Sequence, residues 1–256
     1  MPIAYRLTPR LALAACALAA AASLAAAESG PSLLRARSLN WSDTAGAKGA
    51  RHAPIWGEAA AGNQAVLQRL PINTVIASDA RPHDLRVLVL RGAISVEIAG
   101  REAGEFGPGS YLSVPRGTKH AFTTSAAGEC TFLLQLAGTG GATEPVLLRA
   151  RQIAWADTTG IKGAKHSVLA GFPPADKGVL HRLPINLPYT LEAAAEETRI
   201  VVQRGAIGVE IDGKEHGEFG PGSALFVPRG AKLVLTATAA GECSFFLQRA
   251  AATPAR

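Results

Sequence analysis

One short stretch of this 256-residue chain brings Asp79, Arg81, His83, Asp84 and Arg86 together, and a further histidine, His120, follows downstream. His83 and His120, with Asp79 or Asp84, offer two imidazoles and a carboxylate, donors that a divalent transition ion accepts. Such an ion needs three or four donors converging on one point. Arg81 is a fixed positive charge and opposes a cation in the same cluster. Gathered at one mouth by the fold, Arg81, His83, Arg86 and His120 would favour an anionic small molecule. No Gly-rich phosphate loop, zinc Cys-x-x-Cys pair or nucleophile elbow is present.

The elements that must position these side chains read as strands. Val87–Leu90 and Ile200–Val202 are short apolar runs. Ile94–Ile98 and Ile207–Ile211 alternate apolar and polar residues, the period of a half-buried strand. Tyr111–Val114 and Ala224–Val227 each run into Pro-Arg-Gly, while Phe132–Gln135 and Phe245–Gln248 close their units. Gly and Pro punctuate the intervals, and no long helix is indicated, so the class is all-β, a sandwich or barrel. Glu192–Thr198, rich in Ala and Glu, is the one stretch suited to a helical turn.

A shift of about 113 residues lays the second half on the first. Trp41, Asp43, Lys48 and His52 recur as Trp155, Asp157, Lys162 and His166; Arg69–Asn73 recurs at Arg182–Asn186. GEFGPGS recurs from Gly104 at Gly217, VPRG from Val114 at Val227, and AAGEC from Ala126 at Ala239. This is a tandem duplication, and its period is too long for a solenoid, so each copy is a domain. The expected domains are 33–138 and 147–250. Arg86 and Arg199 recur beside Asp84 and Glu197, which predicts a structural ion pair at the barrel lip. Cys130 and Cys243 also recur; burial as free thiols is the default, with a mutual disulfide as the alternative.

Leu90-Arg-Gly92, the hairpin at Gly100, Phe106-Gly-Pro-Gly109 and Val114-Pro-Arg-Gly117 resemble the cupin superfamily, over roughly residues 65–136 and 178–249. Each unit is similar to exported cupin families of unknown function and to the cupin half of ChrR-type anti-sigma factors. The resemblance implies two tandem jelly-roll barrels. Metal-binding cupins place a His-x-His pair, a Glu and a last His where this chain has Asp79, Arg81, Leu85 and His120. The second copy has Glu192, Ala194, Thr198 and Leu233 at those positions. A divalent metal is therefore expected, if anywhere, in the first domain alone, held by His83, His120 and Asp79, and the second domain is degenerate. The resemblance also implies a self-associating surface and so a homodimer.

The N-terminus has Arg6 and Arg10, an alanine-rich apolar run from Leu11 to Ala27 and an Ala25-x-Ala27 ending, the pattern of a signal peptide cleaved near Ala27. The run is short for a membrane span of ~20 residues; lipidation at Cys16 is the minor alternative. Cleavage removes two arginines and no acid, lowering net charge from +6 to +4. No basic run accompanies that charge, which argues against nucleic acid.

The expectation is an exported bicupin, periplasmic or secreted, with no membrane span once cleaved. It binds a small molecule or partner through Arg81, His83, Arg86 and His120 without efficient catalysis. The alternatives are a metal-dependent oxygenase or isomerase using the first domain, and a structural or sensory self-associating protein.

Overall fold

The computed structural model describes residues 30–78, 81–125, 128–138, 141, 143–173, 176–193, 195–238 and 241–250. The expected signal peptide and Cys16 lie outside the described residues, as does Asp79. Among the described residues no helix is long and apolar enough to cross a membrane.

An arm strand, β1 (Ser32–Leu34), opens the fold. The first repeat follows as β2 (Ser42–Asp43), β3 (Arg51–Trp56), β4 (Ala65–Leu70), β5 (Val75–Ser78), β6 (Asp84–Arg91), β7 (Ile94–Ile98), β8 (Arg101–Phe106), β9 (Tyr111–Val114), β10 (His120–Thr124) and β11 (Cys130–Ala137). A second arm strand, β12 (Val146–Leu148), precedes the second repeat. That repeat comprises β13 (Ala156–Asp157), β14 (Lys165–Leu169), β15 (Lys177–Leu183), β16 (Pro188–Leu191), β17 (Glu197–Arg204), β18 (Ile207–Ile211), β19 (Lys214–Phe219), β20 (Ala224–Val227), β21 (Leu233–Ala237) and β22 (Cys243–Ala250). The helical turn expected at Glu192–Thr198 does not form there: Glu197 and Thr198 already pair with β22 in β17.

Each repeat makes a seven-stranded and a four-stranded antiparallel sheet. The first has the orders β12-β9-β6-β11-β4-β3-β2 and β5-β10-β7-β8; the second has β1-β20-β17-β22-β15-β14-β13 and β16-β21-β18-β19. Side chains of both sheets fill each barrel, with Val87, Val96, Phe122 and Phe132 in the first and Val202, Val209, Leu235 and Phe245 in the second. Cys130 and Cys243 are buried free thiols in these two separate cores. Burial and an adjacent glutamate push each thiol up to about 12.

The outer faces of the seven-stranded sheets pack on each other. Leu67, Leu88 and Leu133 of the first meet Leu180, Val201 and Phe246 of the second in a third core. Strand β6 therefore buries both faces, Leu85, Val87 and Val89 inward and Leu88 toward the other lobe. A strand covered on both sides loses the alternating pattern and reads as a continuous apolar run.

The arm strands cross over. β1 pairs with β20 of the second lobe (Leu33 opposite Leu225), and β12 pairs with β9 of the first (Leu147 opposite Leu112). Arg149 then donates to the carbonyls of Ala103 and Glu105 and stacks on Phe106 at 4.8 Å. Arg35 does the same to His216, Glu218 and Phe219, at 4.7 Å. Ser110 and Ser223 accept the backbone N–H of Ala150 and Ala36. The repeated GEFGPGS is thus a socket for the other repeat's arm. Its first glycine is required: Gly104 has φ +93°, and a Cβ there would lie 2.6 Å from the Arg149 guanidinium.

Other repeated residues form a staple in each lobe. Arg69 stacks on Trp41 at 4.3 Å and pairs with Glu129 at 3.4 Å. Arg182, Trp155 and Glu242 reproduce it at 3.9 and 3.5 Å.

Candidate functional site

Alternation along β10 turns His120, Phe122 and Thr124 into the first barrel. His120 pairs between Ser78 of β5 and Ile98 of β7, and its ring lies 5.2 Å from that of Phe122. It is 5% exposed. Its Nδ1 lies 2.9 Å from the carbonyl of Thr118, which can only accept, so the proton sits on Nδ1 and Nε2 keeps its lone pair. Burial lowers the His120 pKa and the Arg81 charge lowers it further, against the bond to Thr118, which raises it.

Arg81 is held beside His120 by the Pro-Arg-Gly turn, for Gly117 donates its N–H to the Arg81 carbonyl at 2.9 Å. Its Nε donates to Ser78 Oγ at 3.3 Å. Asp84, buried at the start of β6, accepts from the N–H of Arg116 and of Gly141, at 2.9 and 3.1 Å. That carboxylate organises the loops around the site.

Two expected site residues stand elsewhere. The His83 imidazole packs against Gly62, where a Cβ would lie 2.3 Å from the ring, so it fills the loop between β3 and β4. Arg86 does not reach the barrel mouth at all. It lies on the face of β6 that meets the second lobe, where Nε donates to the Gly171 carbonyl at 3.0 Å and the guanidinium stacks on Phe172 at 3.8 Å. At 3% exposure its pKa is lowered by burial, opposed by Tyr111, Asp176 and Asp84. The expected acid–arginine pair forms in the second repeat, where Arg199 meets Glu197 at 3.0 Å; Arg86 has Phe172 and a carbonyl instead.

At the positions where the resemblance places metal ligands, the described donors are one imidazole beside a guanidinium, with Leu85 buried in the core. That set does not fit a divalent transition ion, which needs three or four converging donors. Among the described residues no group of three or more His, Cys, Asp or Glu side chains could hold one. In the second barrel Thr198 and Leu233 are buried in the wall, Glu192 pairs with Lys232 at 3.3 Å, and Ala194 lies outside the described residues.

His52 and His166 make the same contact in both repeats, 3.3 Å from the hydroxyls of Thr44 and Thr158. Sequence reasoning missed His181, Tyr189 and Arg249 in the second barrel. His181 is 5% exposed, lies 5.2 Å from the Phe245 ring and 4.9 Å from the Tyr189 ring, and burial, His166 and Arg249 lower its pKa to about 4. The signal was available: His181 precedes its RLPIN run where Gln68 precedes the other. A cavity of about 230 Å³ also opens between the lobes beside Leu90, Trp155 and Gln203, but its Arg182 and Glu242 are already paired.

A family described as "Domain of unknown function (DUF4437)" matches residues 24–139, the first repeat. No curated protein matches the sequence. Protein Ylba from E. coli, of family model DUF861, is similar in structure with a TM-score of 0.67 at 16% identity, over 86% of this chain and 90% of that one. The Cupin 2 conserved barrel domain protein from Leptotrichia buccalis gives 0.59 at 12%, over 84% and 93%. Streptomyces albus HEPD, solved with its substrate 2-hydroxyethylphosphonate and Fe(II) bound, gives 0.67 at 12%, over 88% and 77%. At such identities the likeness establishes the fold: two cupin-type barrels on one chain.

Proposed function

We propose, from the bicupin fold as premise, that the protein is an exported module that binds a small anionic molecule in its first barrel, without efficient catalysis. One observation carries the reading: a buried, neutral His120 lies within the field of the Arg81 guanidinium. An anion drawn to Arg81 stabilises the protonated form of His120, so it takes up a proton at Nε2 on binding and gains a second charge-assisted hydrogen bond. Concave jelly-roll mouths suit such ligands. The expectations for Arg86 and His83 are not carried forward, because their side chains serve the lobe interface and the β3–β4 loop.

The test is the melting temperature of the chain from Glu28 onward against carboxylates, sugar acids and phosphates. A saturable rise that disappears in both Arg81→Ala and His120→Ala is expected. No rise with any of them, or a rise that survives both substitutions, overturns the reading.

The iron-bound structural neighbour prompts a rival reading, a metal-dependent oxygenase or isomerase in the first barrel, which the described donor set opposes. Elemental analysis of protein purified without chelators decides it: stoichiometric metal lost in His120→Ala would establish this reading over the first.

A further inference from the structure

The two repeats are controls for each other. In the first, Gln68 Nε2 donates to Thr44 Oγ1 at 2.8 Å and to the Arg51 carbonyl at 3.1 Å, so the buried polar group on that wall is satisfied. In the second, His181 takes the place of Gln68, and its buried Nδ1 has no hydrogen-bond partner. Two more exchanges line the same barrel: Arg249, on the same sheet, stands where the first repeat has Leu136, and Tyr189, on the facing four-stranded sheet, where it has Ile76. Along β22, Phe245 and Leu247 face the second barrel, and alternation puts Arg249 with them. Its charge acts on both His181 and Tyr189.

An orphaned buried nitrogen is costly unless something completes it. The charges that act on His181 come from His166 and Arg249, with no carboxylate among them. Lys177, another cation, stands opposite Arg249 across the ladder, an unfavourable pairing by itself. The acid next to it, Asp176, is turned to Gln248 at 3.3 Å. Among the described residues Arg249 makes no ion pair. Beyond His166 the wall reaches water, since Val168 on the same face of β14 is 69% exposed.

We propose that the second barrel carries its own site for an aromatic monocarboxylate, whose carboxylate meets Arg249 and His181 while its ring lies against the half-buried Tyr189. It shares no residue with the first-barrel site. The three exchanges replace a set whose one polar side chain, Gln68, is satisfied, with one that holds an unpartnered imidazole nitrogen beside a cation. Tyr189 and Phe245 flank the imidazole and fix its plane, and the half-buried Tyr189 leaves an apolar edge for the ligand ring.

The experiment titrates benzoate into the full chain and follows the histidine ring signals by NMR, with benzyl alcohol as the uncharged match. Benzoate is expected to move the His181 signals saturably and benzyl alcohol to leave them. Arg249→Leu and His181→Gln, which install the first repeat's residues, should each weaken binding about tenfold or more, read for the second variant from the Tyr189 signals. Arg81→Ala and His120→Ala should leave it unchanged. Four results would each overturn the site: no saturable shift, equal shifts with benzyl alcohol, full affinity in Arg249→Leu, or loss of binding in the first-barrel variants. Should Arg249→Leu not fold, His181→Gln decides between the outcomes alone.

Discussion

Gln135 Nε2 donates to Gln248 Oε1 at 2.7 Å, and these two buried residues hold the same place in the two repeats. An approximate twofold axis therefore runs between them. The symmetry breaks at the hydrogens: one amide gives and the other receives, and Gln248 passes its own N–H to Asp176 at 3.3 Å.

Replacing one partner strands the other in the lobe interface. Gln248→Leu should cost about 1–3 kcal/mol in urea unfolding, the range for an unsatisfied buried polar group. The double replacement Gln135→Leu/Gln248→Leu should cost less than the two singles added together. Strict additivity would show that the pair does not bridge the lobes.

The crossed arms make each lobe depend on a segment from the other repeat. Removing residues 30–37 should raise hydrogen exchange in β20 of the second lobe and leave β9 of the first protected. Gly104→Ala should have the opposite address. It drives a Cβ onto Arg149 at φ +93° and should destabilise β12 and β9 by about 1–3 kcal/mol.

His181 links stability to acidity. Its folded pKa, about 4, lies below the unfolded value of 6.5, so the unfolded chain binds the extra proton in that window. Stability from this group is whole above pH 6.5 and falls as the pH drops toward 4, by about 3 kcal/mol. In His181→Gln that part of the slope should vanish; an unchanged slope would place the acid sensitivity elsewhere.

Ala99 sits at φ +51°, a conformation that asks for Gly, Asn or Asp. The second repeat has Asp212 there, at φ +50°, with Oδ1 accepting the Lys232 N–H at 2.8 Å. Ala99→Asp should raise stability by about 1 kcal/mol, read as a higher melting temperature.

The strands Ile94–Ile98, Tyr111–Val114, Ile207–Ile211 and Ala224–Val227 were legible to the residue, because their apolar patterns and Gly/Pro ends agree. His120 was legible as a barrel-facing group through its motif. Arg86 was not: β6 is covered on both sides, so periodicity carries no sign of which face is the mouth. The crossed arms were invisible because each is written beside the repeat it does not join. The second-barrel cluster was hidden for another reason, since attention to what the repeats share passes over the three positions where they differ.

The crossing also orders events in time. Ala36 binds Ser223, 187 residues later in the chain, so the segment made early has to wait for an edge made near the end. Closure over such a separation is slow. A ribosome that releases only the first repeat delivers a sheet missing its last strand together with a loose strand that has no sheet, and two such fragments hold what each needs to cap the other.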